Sequence, residues 1–162
     1  MQQRNILLVR HSFAESSFNK PDIERTLTLQ GIEALNSLNN EISKIVKPDL
    51  AIVSCAARTR QTFEILNNTW NIGSNHIWIS NSLYNGSVED YKQAIEEVPS
   101  DIKTIALIGH NPTISYLANS LNSDFVQGFS PANLLLLSSK SNNWQLYKAQ
   151  WQIEKYITKS SI

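Results

Sequence analysis

The chain has 162 residues, 14 Lys and Arg against 14 Asp and Glu, and a hydrophobic fraction of 41%. That balance gives no global field to draw nucleic acid or acidic membranes, and the longest apolar runs, such as Leu134 to Leu137, are far too short for a spanning helix. The length suits one domain, 1–162, with an ordinary core, and a single cysteine, Cys55, excludes an internal disulfide.

Met1-Gln2-Gln3-Arg4-Asn5 leads directly into the apolar run Ile6 to Val9, without the hydrophobic segment and cleavage site of a secretory signal. A cytoplasmic location is therefore expected. The run reads as a strand over about residues 5–10, apolar on both faces, and it closes on Arg10-His11. A helix follows over roughly 28–46. Leu29, Ile32, Leu35, Leu38, Ile42 and Ile45 recur at spacings of three and four, Thr28 is a fitting N-cap, and Pro48 ends it.

A second strand, 50–54, precedes a helix over about 56–68 that turns Phe63 and Leu66 inward and weakens at Asn67-Asn68. A third strand, 76–80, precedes a helix over 88–98 with Val88, Tyr91, Ile95 and Val98 on one face, stopped by Pro99. The fourth strand, 104–108, closes on Gly109-His110. Pro112 then suits the first turn of a helix that buries Ile114, Leu117, Ala118 and Leu121. Leu134–Ser138 and Trp144–Lys148 flank the turn-like Lys140-Ser141-Asn142-Asn143 and read as a hairpin. The tail after Trp151 carries no assignment. Strands alternating with helices predict an α/β three-layer sandwich: a mainly parallel central sheet, helices on both faces and an antiparallel edge strand.

In such open sheets, ligands bind beyond the carboxyl ends of the strands. Three strands end there on chemistry: Arg10 with His11, His110, and Arg58 a few residues past Ser54. Two imidazoles and two guanidiniums on one crevice predict an anion site with a nucleophile. Arg58 falls in the first turn of the second helix, where the macrodipole disfavours a cation. A bound anion between the guanidinium and the free helix N–H groups would account for it; the alternative is an arginine turned back to a surface carboxylate.

Phosphoryl transfer suits this set. A neutral imidazole, with an ordinary pKa near ~6.5, is a good nucleophile at neutral pH, provided its other nitrogen is held as a donor, usually to a backbone carbonyl. Fixed cationic donors stabilise the equatorial oxygens of the transferring group. Arg10 and Arg58 each offer a planar fork of donors, and a protonated His110 would add another.

Leu8-Val9-Arg10-His11, Ser54-Cys55-Ala56-Ala57-Arg58-Thr59-Arg60-Gln61-Thr62 and Ile108-Gly109-His110-Asn111-Pro112 resemble, in order and spacing, the histidine phosphatase (phosphoglycerate mutase-like) superfamily. The likeness is greatest to its compact branch, the SixA-type phosphohistidine phosphatases. Glu15, the run Asp22 to Thr28, and Leu83-Tyr84 match as well, so the resemblance runs from about residue 5 to 150. It implies that His11 attacks phosphorus and becomes a phosphohistidine that water hydrolyses. Arg10, Arg58 and His110 would hold the phosphoryl group, with no metal and no other cofactor. Arg25 matches an arginine at the pocket rim, and Ser12 and Asn111 stand as further substrate-binding positions. Ser12 occupies a position where glycine is commonest, and its carbonyl can orient His11. Cys55 stands where proline is usual and reads as a small semi-buried side chain.

Larger members carry a general acid on an insertion for which this chain has no room. Asp22, Glu15 and Glu89 are the candidate donors here, although Glu89 reads more simply as a first-turn helix acid. A missing strong acid fits a good leaving group. Phosphohistidine on a protein is therefore the leading substrate, with phosphate or a similar anion in the pocket of a monomer. The alternatives are a small-molecule phosphomonoesterase and a non-catalytic phospho-binding module. The absent insertion argues against a mutase, and scattered glycines argue against a nucleotide loop. His76 falls at the amino end of its strand and reads as structural. Trp70, Trp78, Trp144 and Trp151 lack basic interleaving, so packing rather than nucleic-acid stacking is expected of them.

Overall fold

The computed structural model describes residues 1–16 and 18–159. In chain order its main elements are β1 (Gln2–Arg10), α1 (Leu29–Ile42), β2 (Leu50–Ser54), α2 (Ala57–Trp70), β3 (Ile77–Ser80), α3 (Val88–Glu96), β4 (Thr104–Gly109), α4 (Thr113–Leu121), β5 (Leu134–Ser141) and β6 (Gln152–Ile157). The strands form one sheet in the order β3-β2-β4-β1-β5-β6. The first four of these are mutually parallel, while β5 runs antiparallel to both β1 and β6.

Side chains alternate across a strand, and here each alternate set has its own helical layer. Ile6, Leu8, Leu50, Ile52, Ile105 and Leu107 pack with Tyr91 and Ile95 of α3 and with Ile114 and Leu117 of α4. Leu7, Val9, Ala51, Val53, Ala106 and Ile108 pack with Leu35 and Leu38 of α1 and with Phe63 and Leu66 of α2. This is the three-layer α/β sandwich, and it explains why the central strands are apolar throughout.

The chain leaves β1 towards the α1 layer and leaves β4 towards the α4 layer, although β1 and β4 are neighbours. Such a reversal opens a crevice at the carboxyl ends of the two strands. Arg10 lies opposite Gly109 in the register, so His11 and His110 emerge side by side at that crevice.

Several elements differ from expectation. Trp144–Lys148 is not the edge strand: residues 146–148 form a 3-10 turn, and β6, in the tail left unassigned, pairs with β5 instead. Trp144 and Leu146 are both buried, a spacing of two that a half-buried strand would also give, which is why the segment reads as one. Trp144 stacks on Trp151 at 6.3 Å and donates its indole N–H to Ile102 O. The true edge carries the charged Glu154 and Lys155, which discourage further strand pairing.

In α1 the inward line is Gly31, Leu35, Leu38 and Ile42, whereas Leu29 is 80% exposed and Ile32 is partly exposed. Gly31 sits against the loop after His11, where a Cβ would lie 2.2 Å from Phe13 O. α2 runs on through Asn67-Asn68 to the buried Trp70, and the Asn67 side chain bonds both N–H and C=O of Ile72 across its end. Pro112 is the N-cap of α4 rather than its first helical residue. No helix among the described residues is long and apolar enough to cross a membrane.

Candidate active site

A cavity of about 590 Å³ opens where β1 and β4 end, and Arg10, His11, Arg25, Arg58 and His110 line it. The two imidazole rings lie 5.3 Å apart, centroid to centroid. His11 Nδ1 is 2.7 Å from Ser12 O. A carbonyl only accepts, so Nδ1 carries the hydrogen and Nε2 the lone pair. Arg58 Nε donates to that Nε2 at 3.4 Å. On the far histidine, Nε2 is 2.7 Å from Ser54 Oγ, and the backbone N–H donates to Tyr91 Oη at 3.0 Å. Tyr91 Oη in turn donates to Leu83 O, which ties the strand end to the chain before α3.

Burial, followed by the charges of Arg58 and Arg10, lowers the His11 pKa to about 4. Burial, with neighbouring His11 and Arg58, lowers that of His110 to about 3. Both rings are therefore neutral at pH 7. This corrects the expectation of a protonated His110: it offers one N–H donor, not two.

The guanidinium of Arg58 is buried and donates from Nη1 to Asp22 O at 2.8 Å and from Nη2 to Asp22 Oδ2 at 3.1 Å. Arg58 thus meets a carboxylate, as the alternative reading had it, but that carboxylate is on the cavity rim, and the guanidinium itself lines the cavity from the first turn of α2. Asp22 Oδ1 accepts from Arg25 Nε at 3.0 Å, and Oδ2 accepts from Tyr84 Oη at 2.6 Å. The Tyr84 bond, with Arg58 and Arg25 behind it, holds the Asp22 pKa down at about 2. Arg10 donates from Nη1 to Phe129 O at 2.9 Å, and its Nε is buried without a hydrogen-bond partner.

No family model and no curated protein matches the sequence. Solved structures do. Over 98% of this chain and 97% of the other, it superposes with a TM-score of 0.84 and 25% identity on the Nakamurella multipartitia structure named as phosphohistidine phosphatase SixA. The fold is that of the SixA-type histidine phosphatases. The Agrobacterium tumefaciens structure given the same name superposes with a TM-score of 0.81 at 22% identity, covering 96% of this chain and 97% of that one. A protein histidine phosphatase SixA complexed with tungstate superposes at 0.79 and 18% identity, with the same coverage of each chain.

Not every candidate residue turns its side chain to the cavity. The Glu15 carboxylate accepts from Thr26 N and Oγ1 and pairs with Lys20 at 2.6 Å, off the cavity wall. Glu89 is 84% exposed on α3, 3.7 Å from Lys92, and lies outside the cavity as well. Only Asp22 of the three donor candidates lines the cavity, and it is an ionised acceptor. None of the three is therefore placed as a general acid. Ser12 lends its carbonyl to His11, but its buried hydroxyl turns away and donates to Gly31 O at 2.8 Å. Asn111 lines the cavity with its amide committed elsewhere: Nδ2 donates to Phe129 O, and Oδ1 accepts from Ser115 Oγ. His76 is exposed in the 3-10 turn ahead of β3, at the opposite end of that strand.

Sequence reasoning gave no role to Ser54, Tyr84 or Tyr91, all of which touch the site. Ser54 closes an apolar strand, Tyr91 reads as one of four apolar residues on a helix face, and Tyr84 stands in a recognised run with no partner named. Their only sequence signal is a hydroxyl at the carboxyl end of a strand or on a face turned towards it.

Proposed function

We propose that this chain is a phosphatase that acts through a covalent phosphohistidine on His11, with phosphohistidine in proteins as its substrate. The observation that carries this reading is the fixed tautomer of His11, its Nδ1–H bound to Ser12 O and its Nε2 lone pair beside Arg58 Nε. Burial keeps that nitrogen unprotonated at pH 7, as a nucleophile must be. The phosphoryl oxygens settle among Arg10, Arg58 and the single N–H donor of His110, and these groups stabilise the charge that spreads over them during transfer. The lone pair of His11 Nε2 forms the bond to phosphorus as the bond to the leaving group breaks. Water then adds to phosphorus, the P–N bond to His11 breaks, and phosphate leaves with the ring again neutral.

The positive charge that a metal would supply comes from the guanidiniums, and no metal is assigned a role. A tungstate bound by one structural neighbour, a tetrahedral oxyanion like phosphate, supports the choice of ligand. Protein-bound phosphohistidine is favoured over alkyl phosphates because, among the described residues, the one carboxyl group on the cavity wall, Asp22, is ionised and cannot protonate a poor leaving group.

Incubation with a labelled aryl phosphate, quenched in alkali, tests the reaction. The reading predicts an acid-labile, alkali-stable phosphoenzyme that is absent from His11→Ala. Tight phosphate binding without turnover would instead identify a phospho-binding module. Turnover compared across phosphorylated phosphocarrier proteins, sugar phosphates and aryl phosphates tests the substrate class.

A further inference from the structure

The rim carboxylate of Asp22 has no part in the hydrolysis above, yet it stands on the wall of the same cavity. Its Oδ1 accepts from Arg25, and its Oδ2 from Tyr84 and Arg58. A carboxylate offers about four acceptor sites, so one remains, and 46% of the side-chain surface is open to solvent. A single guanidinium joins Asp22 to the nucleophile, since Arg58 presents Nε to His11 and Nη2 to Asp22. A phosphoryl group resting on Arg58 thus has His11 beside one end of the guanidinium and Asp22 beside the other, on the cavity wall that a leaving group shares.

An ionised carboxylate at that place discriminates between leaving groups. The oxygen of a phosphate ester brings only lone pairs towards it, which it repels. A phosphorylated imidazole protonated on its distal nitrogen brings a positive charge and an N–H, which it attracts. We propose that Asp22 is a specificity-determining residue that accepts a hydrogen bond from the distal ring N–H of a phosphorylated imidazole. The proposal rests on the phosphatase reading and deepens it.

The step balances without a general acid. The substrate ring takes its distal proton from solvent before binding, and Asp22 favours that form. The His11 Nε2 lone pair then forms a bond to phosphorus, while the substrate P–N bond breaks with its electron pair remaining on the substrate nitrogen. The ring departs as neutral imidazole, its distal proton in place, and Asp22 stays ionised throughout. Tyr84 and Arg25 hold the carboxylate in this orientation.

The test measures kcat/KM for phosphoimidazole and for p-nitrophenyl phosphate, whose leaving group has no N–H, in the wild-type chain, Asp22→Asn and Asp22→Glu. Both substrates should slow in Asp22→Asn, because Arg58 loses an ionic partner. The loss on phosphoimidazole should exceed that on the aryl phosphate by about tenfold or more, the worth of a charged hydrogen bond. Asp22→Glu, which keeps the charge, should restore most of the preference. Equal losses on the two substrates, or a larger loss on the aryl phosphate, overturn the proposal and leave the phosphatase reading standing. A wild-type chain that turns over neither substrate overturns both.

Discussion

Gly31→Ala tests how the fold aims the nucleophile. The added Cβ would lie 2.2 Å from Phe13 O, where ordinary contact begins at 3.4 Å, so the two backbones must part by more than an ångström. Neither atom can rotate aside, because both belong to the main chain. The same junction holds Thr28 N donating to Phe13 O and Ser12 Oγ donating to Gly31 O, and Ser12 O orients His11. Alanine favours a helix over glycine by about 1 kcal/mol. Against this stand overpacking of about 1–3 kcal/mol and about 1 kcal/mol for each buried hydrogen bond that stretches. With both bonds stretched, the net expectation is a loss of about 2–4 kcal/mol of stability. A displacement of ~1 Å at reacting groups costs on the order of a hundredfold in rate, so kcat on an aryl phosphate should fall ~10–100-fold with a smaller change in KM. Steady-state kinetics and urea unfolding measure both quantities. Gly73→Ala, with nothing within 4 Å of its Cβ, should leave both near wild type. A Gly31→Ala variant of full activity and undiminished stability would refute the account of how His11 is positioned.

Four further expectations follow from the site. The unfolded chain protonates His11 and His110 near pH ~6.5, but in the fold they titrate near 4 and 3. The unfolded state therefore binds more protons below pH ~6.5 and stability must fall with acid. Urea midpoints should drop from pH 7 to pH 5, less steeply in a His110→Ala variant; an unchanged slope would contradict the burial argument. Glu15→Gln and Glu89→Gln should retain activity within about threefold, since neither carboxylate lines the cavity. Asp22→Asn should lose far less than His11→Ala, and an equal loss would mark Asp22 as a proton donor after all. Ser54→Ala removes the hydroxyl 2.7 Å from His110 Nε2. Aryl phosphatase activity should fall about tenfold, by about 1.4 kcal/mol, and an unaffected rate would show that the ring needs no such support.

The parallel core and the site were legible for one reason. Ile6–Val9, Leu50–Val53 and Ile105–Ile108 are apolar on both faces, which only a strand between two helical layers requires, and each delivers a chemical group just past its carboxyl end. The edge was illegible because Trp144 and Leu146 stand two apart, as in a half-buried strand, yet they are buried by contact with Ile102, Trp151 and their neighbours in a segment that turns at 146–148. The first turn of α1 misled in the same way. Leu29, Ile32, Leu35 and Leu38 step by three, which falls about 60° short of a turn each time, so Leu29 ends on the far side of the helix from Leu38. In the site, residue type identified Arg10, His11, Arg58 and His110. The protonation of His110 and the outward turn of Glu15 and Glu89 depend on burial and on partners that sequence spacing does not encode.

Rapid quench with a labelled phosphoryl donor, followed by peptide mapping under alkaline conditions, puts the central claim to its most direct test. The account predicts label on the peptide that holds His11, appearing at the rate of leaving-group release and decaying at the rate of phosphate formation. Label on another residue, or undiminished turnover with no labelled peptide at all, would contradict it.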